Sequence, residues 1–194
     1  MSFSAADLAY VRDNYFTLEE LCVDRVESPE QVRAHVARRS LPAPSYVLDD
    51  GTEMFPADYF ALMDQAGGVD ELRSHFESRH RAAGGPPDEL EQDWQGYLQG
   101  LFAVCLRLVS PETIVRKERL VVLLGRLLAQ PEPASERWRA RVRLAVWELD
   151  ALEREFAPDY DRGGRFEQPP TRDRLIVAAR ERFPELFDAT TLVR

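Results

Sequence analysis

The residue best placed by sequence for acid–base chemistry is Glu112, in the segment Ser110-Pro111-Glu112-Thr113. A serine followed by a proline is typical of a helix start, where the positive end of the helix dipole holds a carboxylate ionised. Such a carboxylate can act as a general base, or it can only cap the helix. Arg116 follows four residues later, so it either contacts a substrate or pairs with Glu112.

Aromatic side chains that could hold a planar molecule occur in the preceding segment, over residues 88–108. The candidates on its apolar face are Trp94, Tyr97 and Phe102. Gly96 and Gly100 lie four residues apart on the same segment. Their spacing predicts either close helix packing or space left for a ligand.

A turn-rich stretch at residues 157–170 is long for a compact domain, and loops of this length are often functional. The candidates for substrate binding in this loop and in the helix after it are Tyr160, Asp161, Arg172 and Arg174. Two arginines beside a helix start, capped by Thr171, could bind a carboxylate or a phosphate. Alternatively, these charges form an internal salt-bridge network that ties the loop to the helix.

Other chemistry-bearing residues give weaker signals. Cys22 and Cys105 have no CxxC spacing and are predicted to be free buried thiols. His75 and His80, five residues apart, do not share a helical face, so no metal site is predicted; with Arg79 they are interpreted as a solvated face. Serine-hydrolase, dinucleotide, phosphate-loop and zinc-protease motifs are absent from the sequence, and we expect no cofactor.

The charge distribution disfavours a nucleic acid partner. The chain of 194 residues has a formal net charge of −9, and residues 1–64 carry five basic against twelve acidic side chains, a net −7. Phosphate binding requires local positive potential. No apolar run approaches the roughly 20 residues that cross a bilayer, and no signal peptide is recognised. We therefore expect a cytoplasmic protein that does not bind membranes.

The first 68 residues predict a small winged-helix-like unit. Helix starts at Thr17 and Ser28, the second with a capping box, precede two alternating segments around Asp50-Gly51 that predict a hairpin. A predicted helix that begins at Pro56 and ends at Gly67-Gly68 completes the element order of a small winged helix. Residues 17–63 resemble the head of the mercury-resistance-type transcription regulators, but acidic side chains stand at the wing tip, where they would repel DNA.

Residues 69–194 predict a helical domain, so the fold class is mainly α: a winged-helix-like unit with a short hairpin, followed by a helical bundle. Ser135 begins a helix whose apolar stripe runs from Trp138 to Phe156 with alternating gaps of four and three. Trp147 lies on the opposite side of this helix, which predicts a covering helix, a subunit partner or a ligand.

Three segments, residues 94–121, 149–166 and 171–184, resemble small actinobacterial proteins of natural-product biosynthesis, and in particular bacterial Pictet–Spengler cyclases that form β-carbolines. The resemblance implies condensation of an aromatic amine with an aldehyde, without metal or organic cofactor. It assigns Glu112 as the base, the aromatic residues as walls and Arg172 or Arg174 as anchor. Leu101 stands where that family has an acidic residue, so a base at this position is lost or moved.

These observations favour an enzyme that acts on a small aromatic or amino-acid-derived substrate. A pocket lined by the middle helices, in which Glu112 has a raised pKa beside an arginine anchor, would support this hypothesis. The alternatives are a DNA-binding regulator of the winged-helix class and a non-catalytic homodimeric scaffold that buries Trp147 between chains.

Overall fold

The computed structural model describes residues 2–165 and 169–187 and has a mainly α fold, as the sequence predicts. The first three helices all begin at capping boxes, in which a serine or threonine side chain and the third helical residue satisfy each other's backbone N–H groups. The capping residues are Ser4, Thr17 and Ser28. The helices are α1 (Ala5–Asn14), α2 (Leu18–Leu21) and α3 (Pro29–Ala37).

A small antiparallel sheet follows, with strand order β1-β3-β2. Its strands are β1 (Tyr15–Phe16), β2 (Tyr46–Val47) and β3 (Glu53–Pro56). The hairpin of β2 and β3 confirms the prediction. β1 was not predicted, because a strand of two residues is too short to show an alternation of polar and apolar side chains. Pro56 was expected to open a helix; instead it ends β3 opposite Tyr15, and α4 (Ala61–Ala66) begins five residues later and ends at Gly67 in the left-handed conformation.

The remaining chain forms longer helices. These are α5 (Leu72–Ala82), α6 (Leu90–Leu98), α7 (Leu101–Cys105), α8 (Pro111–Ala129), α9 (Glu136–Leu152) and α10 (Ala178–Arg182). Ser110 and Ser135 cap α8 and α9 through their side chains, as predicted. π-helical turns cover Asp161–Arg165 and Arg172–Val177, and a 3-10 turn covers Pro184–Leu186. Thr171 is itself helical and makes no cap hydrogen bond, so its predicted capping role is wrong.

Gly100 divides the predicted helix over residues 88–108 into α6 and α7. Its φ of 70° is left-handed, and a Cβ there would lie 2.5 Å from the carbonyl oxygen of Ala43. At Gly96 a Cβ would meet the Phe102 ring at 2.9 Å. Both glycines therefore permit close packing, which is one of the two alternatives that the sequence left open.

Two hydrophobic cores hold these elements together. The first joins the sheet and α1 to α5, α6 and α7, with Phe55 and Phe76 among its fully buried side chains. The second lies between α8, α9 and the C-terminal helical turns, around Leu124 and Leu149. The first core contains residues from before and after position 68. The proposed units 1–68 and 69–194 therefore share one apolar interior, and their division stays a prediction.

The apolar stripe of α9 is confirmed, since Trp138, Val142, Ala145 and Leu149 are all buried. Trp147 lies off the stripe and is 69% exposed, beside Leu144 at 56%. Neither side chain is covered by the described part of this chain. Among those same residues, no helix has the length and apolar character needed to cross a membrane.

Gly85 and Gly125 offer a matched test of the packing around the buried His80. We expect Gly85→Ala to destabilise the protein by about 1–3 kcal/mol, because the new Cβ would lie 2.2 Å from Cε1 of the fully buried His80. Gly125→Ala, inside α8 with nothing within 4 Å, should stabilise it by up to about 1 kcal/mol. Urea denaturation of both variants measures the difference; equal midpoints would contradict the packing described at His80.

Candidate functional site

A groove of about 930 Å³ runs along α8, between α6 on one side and α9 on the other. Its walls combine charged and apolar side chains. Those that matter for its chemistry are Glu89, Asp93, Phe102, Lys117, Glu118, Arg126, Arg137 and Trp138. The start of α8 is fixed by the Ser110 capping box and Pro111, which sets the position of Lys117 and Glu118 two turns further on.

Three carboxylates from two helices meet at the α6 wall of the groove. Glu89 and Asp93 lie one turn apart at the start of α6, and Glu118 faces them from α8, within hydrogen-bonding reach of both. Burial, with the neighbouring charges and hydrogen bonds of Asp93 and Glu89, raises the pKa of Glu118 to about 7. Glu118 is therefore poised to gain or lose a proton at neutral pH.

His80 supports this wall from behind. Its ring is fully buried between Phe76, which it stacks on at 6.2 Å, and Gly85. Its Nε2 lies 2.9 Å from Oδ2 of the buried Asp93. Asp93 thus joins His80 to Glu118. The predicted solvated face of α5 is wrong at His80, which is fully buried, since no local pattern indicates that α6 packs over it.

A second polar cluster lies beneath α8, around Lys117. Its Nζ is 2.9 Å from Sγ of Cys105 and 3.3 Å from Oε1 of the fully buried Glu153. Burial works to lower the pKa of Lys117, but the charges of Cys105 and Glu153 outweigh it and raise that pKa overall. Burial raises the pKa of Glu153, against the opposing effect of Lys117.

The backbone holds this second cluster in place. The ends of α7 and α9 pair as an antiparallel bridge between Leu106 and Glu153. The N–H of Arg154 donates to the carbonyl of Cys105 at 3.0 Å. Residues far apart in sequence therefore meet under Lys117.

Glu112 lies outside the groove lining. Its two carboxylate oxygens accept hydrogen bonds from the Arg79 guanidinium at 2.7 and 2.8 Å. Burial opposes ionisation, but the Arg79 hydrogen bond prevails and lowers the pKa of Glu112. The raised pKa that would have supported its role as base is therefore not observed. Arg116 pairs with Glu148 and not with Glu112.

The three aromatic candidates do not converge. Trp94 and Tyr97 are buried in the first core, where they pack on Phe76 at 5.2 and 5.5 Å between ring centroids. Phe102 alone of the three lines the groove. Leu101, where the resembled family has an acid, is 41% exposed on α7.

The loop candidates have internal partners. Tyr160 stacks on Phe3 at 3.9 Å. The buried Asp161 accepts hydrogen bonds from the Tyr46 hydroxyl at 2.6 Å and from the backbone N–H of Ala157 at 2.8 Å. Asp7 of α1 accepts from the backbone of Tyr160. These contacts dock the described part of the loop, up to residue 165, on the N-terminal unit; residues 166–168 of the predicted loop lie outside the described residues.

The arginines after the loop also have partners. Arg172 pairs with Asp150 and Glu155, and Nε of Arg174 donates to the carbonyl of Pro169. Arg162 joins the loop to the following helix through Asp173 at 2.8 Å. The internal salt-bridge network, the second alternative from the sequence, is thus the one observed.

Sequence reasoning missed the residues that form the groove's polar walls. One signal was available: of the 25 basic residues, Lys117 is the single lysine and all the others are arginine. Glu118 had no signal, because its environment depends on α6. Cys22 and Cys105 are free and buried, as predicted. Among the described residues no group of three or more His, Cys, Asp or Glu side chains is arranged to hold a metal ion.

Comparison with known proteins places the chain in a family. Neither the curated proteins nor the solved structures contain a match to this chain. A family model described as a family of unknown function, DUF6058, matches residues 61–184, which is 124 of the 194 residues. All residues that line the groove fall inside this range. Because the match covers well over half of the chain, the protein belongs to the DUF6058 family.

Proposed function

We propose that the protein binds a small amine-bearing molecule in the groove along α8 and acts on it by acid–base catalysis through Glu118. One observation carries the proposal: a half-buried carboxyl with a pKa of about 7 faces a groove of about 930 Å³. A general acid–base group works best when its pKa lies near the working pH. A large pocket with a perturbed carboxyl is the usual form of such a site.

The α6 wall of the groove, called the acidic wall from here on, consists of Glu89, Asp93 and Glu118 and favours a cationic group on the substrate. Glu89 and Asp93 each lie within hydrogen-bonding reach of Glu118, which places up to three negative charges close together. An ammonium group there would relieve their repulsion and donate charge-assisted hydrogen bonds to the carboxylate oxygens. Phe102 and Val122 add apolar surface to the same groove, which suits an aromatic or aliphatic body.

Basic side chains line the groove as well. They include Arg126, Arg137 and Arg141, whose guanidinium groups form no hydrogen bond or ion pair with another described residue. A carboxylate on these arginines, with an amine at the acidic wall, corresponds to an amino-acid-derived molecule. This is the substrate class expected from the sequence.

Glu118 is the base in this proposal, in place of Glu112. In a Pictet–Spengler condensation the base removes the ring proton after an indole attacks an iminium ion; Glu118 would receive that proton, and Phe102 would flank the planar cation. The cyclase assignment, the cytoplasmic location and a homodimer through Trp147 remain predictions. The chain needs no cofactor for this chemistry.

DNA regulation is the less favoured function. Arg33 of α3, which would contact the phosphates, is held by Glu19 at 2.6 Å and by Glu53 at 3.2 Å. Releasing it for DNA would leave two carboxylates facing the phosphate backbone.

Ligand binding tests the proposed substrate class. We expect tryptamine to bind to the purified protein at pH 8, and indole-3-propionate, with the same ring and the opposite charge, to bind at least tenfold more weakly. Calorimetric titration measures both affinities. Glu118→Gln should weaken tryptamine binding by about tenfold, which is about 1.4 kcal/mol, because it removes one of the charges that attract the ammonium group. Glu112→Gln, outside the groove, should not weaken it; equal losses in the two variants would contradict the site.

Turnover is tested with the same pair of variants. The wild-type protein is incubated with tryptamine and acetaldehyde at pH 7, and the tetrahydro-β-carboline product is measured by mass spectrometry against a protein-free control. We expect Glu118→Gln to lose at least a hundredfold in rate, since general acid–base catalysis contributes about 10²–10⁴-fold. Glu112→Gln should retain its rate. Formation of product only at the protein-free rate would remove the cyclase assignment.

The raised pKa of Glu118 has a consequence for stability. Between the ordinary glutamate pKa, about 4.3, and about 7, the folded protein holds a proton that the unfolded chain has released, so the free energy of unfolding falls as the pH rises. We expect Glu118→Gln to be more stable than wild type at pH 8 by about 1 kcal/mol, after solvent screening of this half-buried group. At pH 4 the two should unfold together in urea. A variant less stable than wild type at pH 8 would contradict the raised pKa.

A further inference from the structure

We propose that Cys105 and Lys117 are a modification site, at which a peroxide oxidises the thiol and the two side chains become joined by a covalent sulfur–nitrogen bond. The inference does not depend on the function proposed above. It rests on the distance between the two side chains, on their burial and on the carboxylate beside them.

The two reacting atoms are already in contact. Nζ of Lys117 lies 2.9 Å from Sγ of Cys105, and both side chains are largely buried. Reacting atoms held about 3–3.5 Å apart need little further ordering before a bond forms. The positions are fixed by α8 and by the bridge between Leu106 and Glu153.

The residue types at this site are unusual for the chain. Arginine occupies every other basic position, and lysine occurs only at 117. A guanidinium does not lose its proton in a protein, whereas a lysine ammonium can pass its proton to a neighbouring carboxylate and then act as a nucleophile. An ion pair with Glu153 alone would not distinguish lysine from arginine.

The reaction balances with one peroxide. The sulfur of Cys105 attacks a peroxide oxygen, the O–O bond breaks, and a sulfenic acid and one water form. The amine of Lys117 then attacks the sulfur; the S–N bond forms, the S–O bond breaks, and the departing hydroxide takes a proton from nitrogen and leaves as a second water. The sulfur is oxidised by two electrons and the peroxide is reduced by two. The pair of side chains loses two hydrogen atoms.

Glu153 provides the proton acceptor that the step requires. Lys117 must first lose a proton, and Oε1 of Glu153 lies 3.3 Å from its Nζ. Burial makes Glu153 a better proton acceptor than an exposed carboxylate. When the proton moves, an ammonium and a carboxylate become a neutral amine and a neutral acid. The bond therefore leaves no unpaired charge in the interior.

The groove lies beside the pair. Lys117 and Phe102 both line it, and Sγ of Cys105, which is not part of the lining, lies 3.4 Å from the carbonyl oxygen of Phe102. Peroxide is a small molecule, so a small local opening at Lys117 or Phe102 would admit it to the sulfur. Cys22, the other free thiol, has Arg25 as its nearest basic neighbour along the chain and no lysine, which makes it the internal control.

Intact-mass spectrometry and peptide mapping test the proposal on the full chain. After treatment with hydrogen peroxide and removal of the excess, we expect wild type and Cys22→Ser to lose two hydrogen atoms and to yield a peptide that joins residues 105 and 117. A thiol reductant should restore the original mass. Cys105→Ser and Lys117→Arg should form no such peptide, and Lys117→Arg should gain oxygen at Cys105 instead.

Two results would overturn the proposal. One is oxygen addition at Cys105 of wild type with no cross-linked peptide; the other is a linkage that retains the oxygen atom. Because the peptide map of the wild-type protein alone decides between these outcomes, the test stands even where a variant fails to fold.

Discussion

The structure depends on how two successive charged residues of α8 are accommodated inside a helical protein. Lys117 and Glu118 point to different neighbours: the first meets Cys105 and Glu153 beneath the helix, and the second meets Asp93 on α6. Removing a charge from water costs several kcal/mol unless it is paired or neutralised. Lys117 is paired with a carboxylate, whereas Glu118, with a pKa of about 7, takes up a proton as the pH falls through neutral. Ion pairing at Lys117 and a raised pKa at Glu118 give the two sites their different chemistry.

The packing around His80 makes the Glu118 site possible. Gly85 leaves room for the imidazole, and the imidazole in turn holds the carboxylate of Asp93 at 2.9 Å. A fixed Asp93 is what keeps a second carboxylate near Glu118, and that proximity, added to burial, maintains the raised pKa. A side chain larger than glycine at position 85 would therefore displace His80, then Asp93, and so disturb the environment of Glu118. The groove's chemistry and the local backbone are linked in this way.

Local signals in the sequence identify the elements well and the site poorly. Serine caps and prolines place the starts of α3, α8 and α9, because capping is a matter of a few adjacent residues. The groove has no such signature, since Glu118 and Asp93 come from different helices. Glu112 was predicted as a base from its position at a helix start, and it does lie in the first turn of α8. What the sequence could not reveal is that Arg79, 33 residues earlier, neutralises it.

The family match covers the groove but not the N-terminal sheet. The matched residues, 61–184, include α5 to α10 and every residue that lines the groove, whereas the sheet and α1 to α3 precede them. The first core packs that N-terminal unit against α5 and α6, the same helices that carry His80 and Asp93. The N-terminal residues thus pack against the helices that carry two members of the His80–Asp93–Glu118 series, while Arg33 is paired with Glu19 and Glu53.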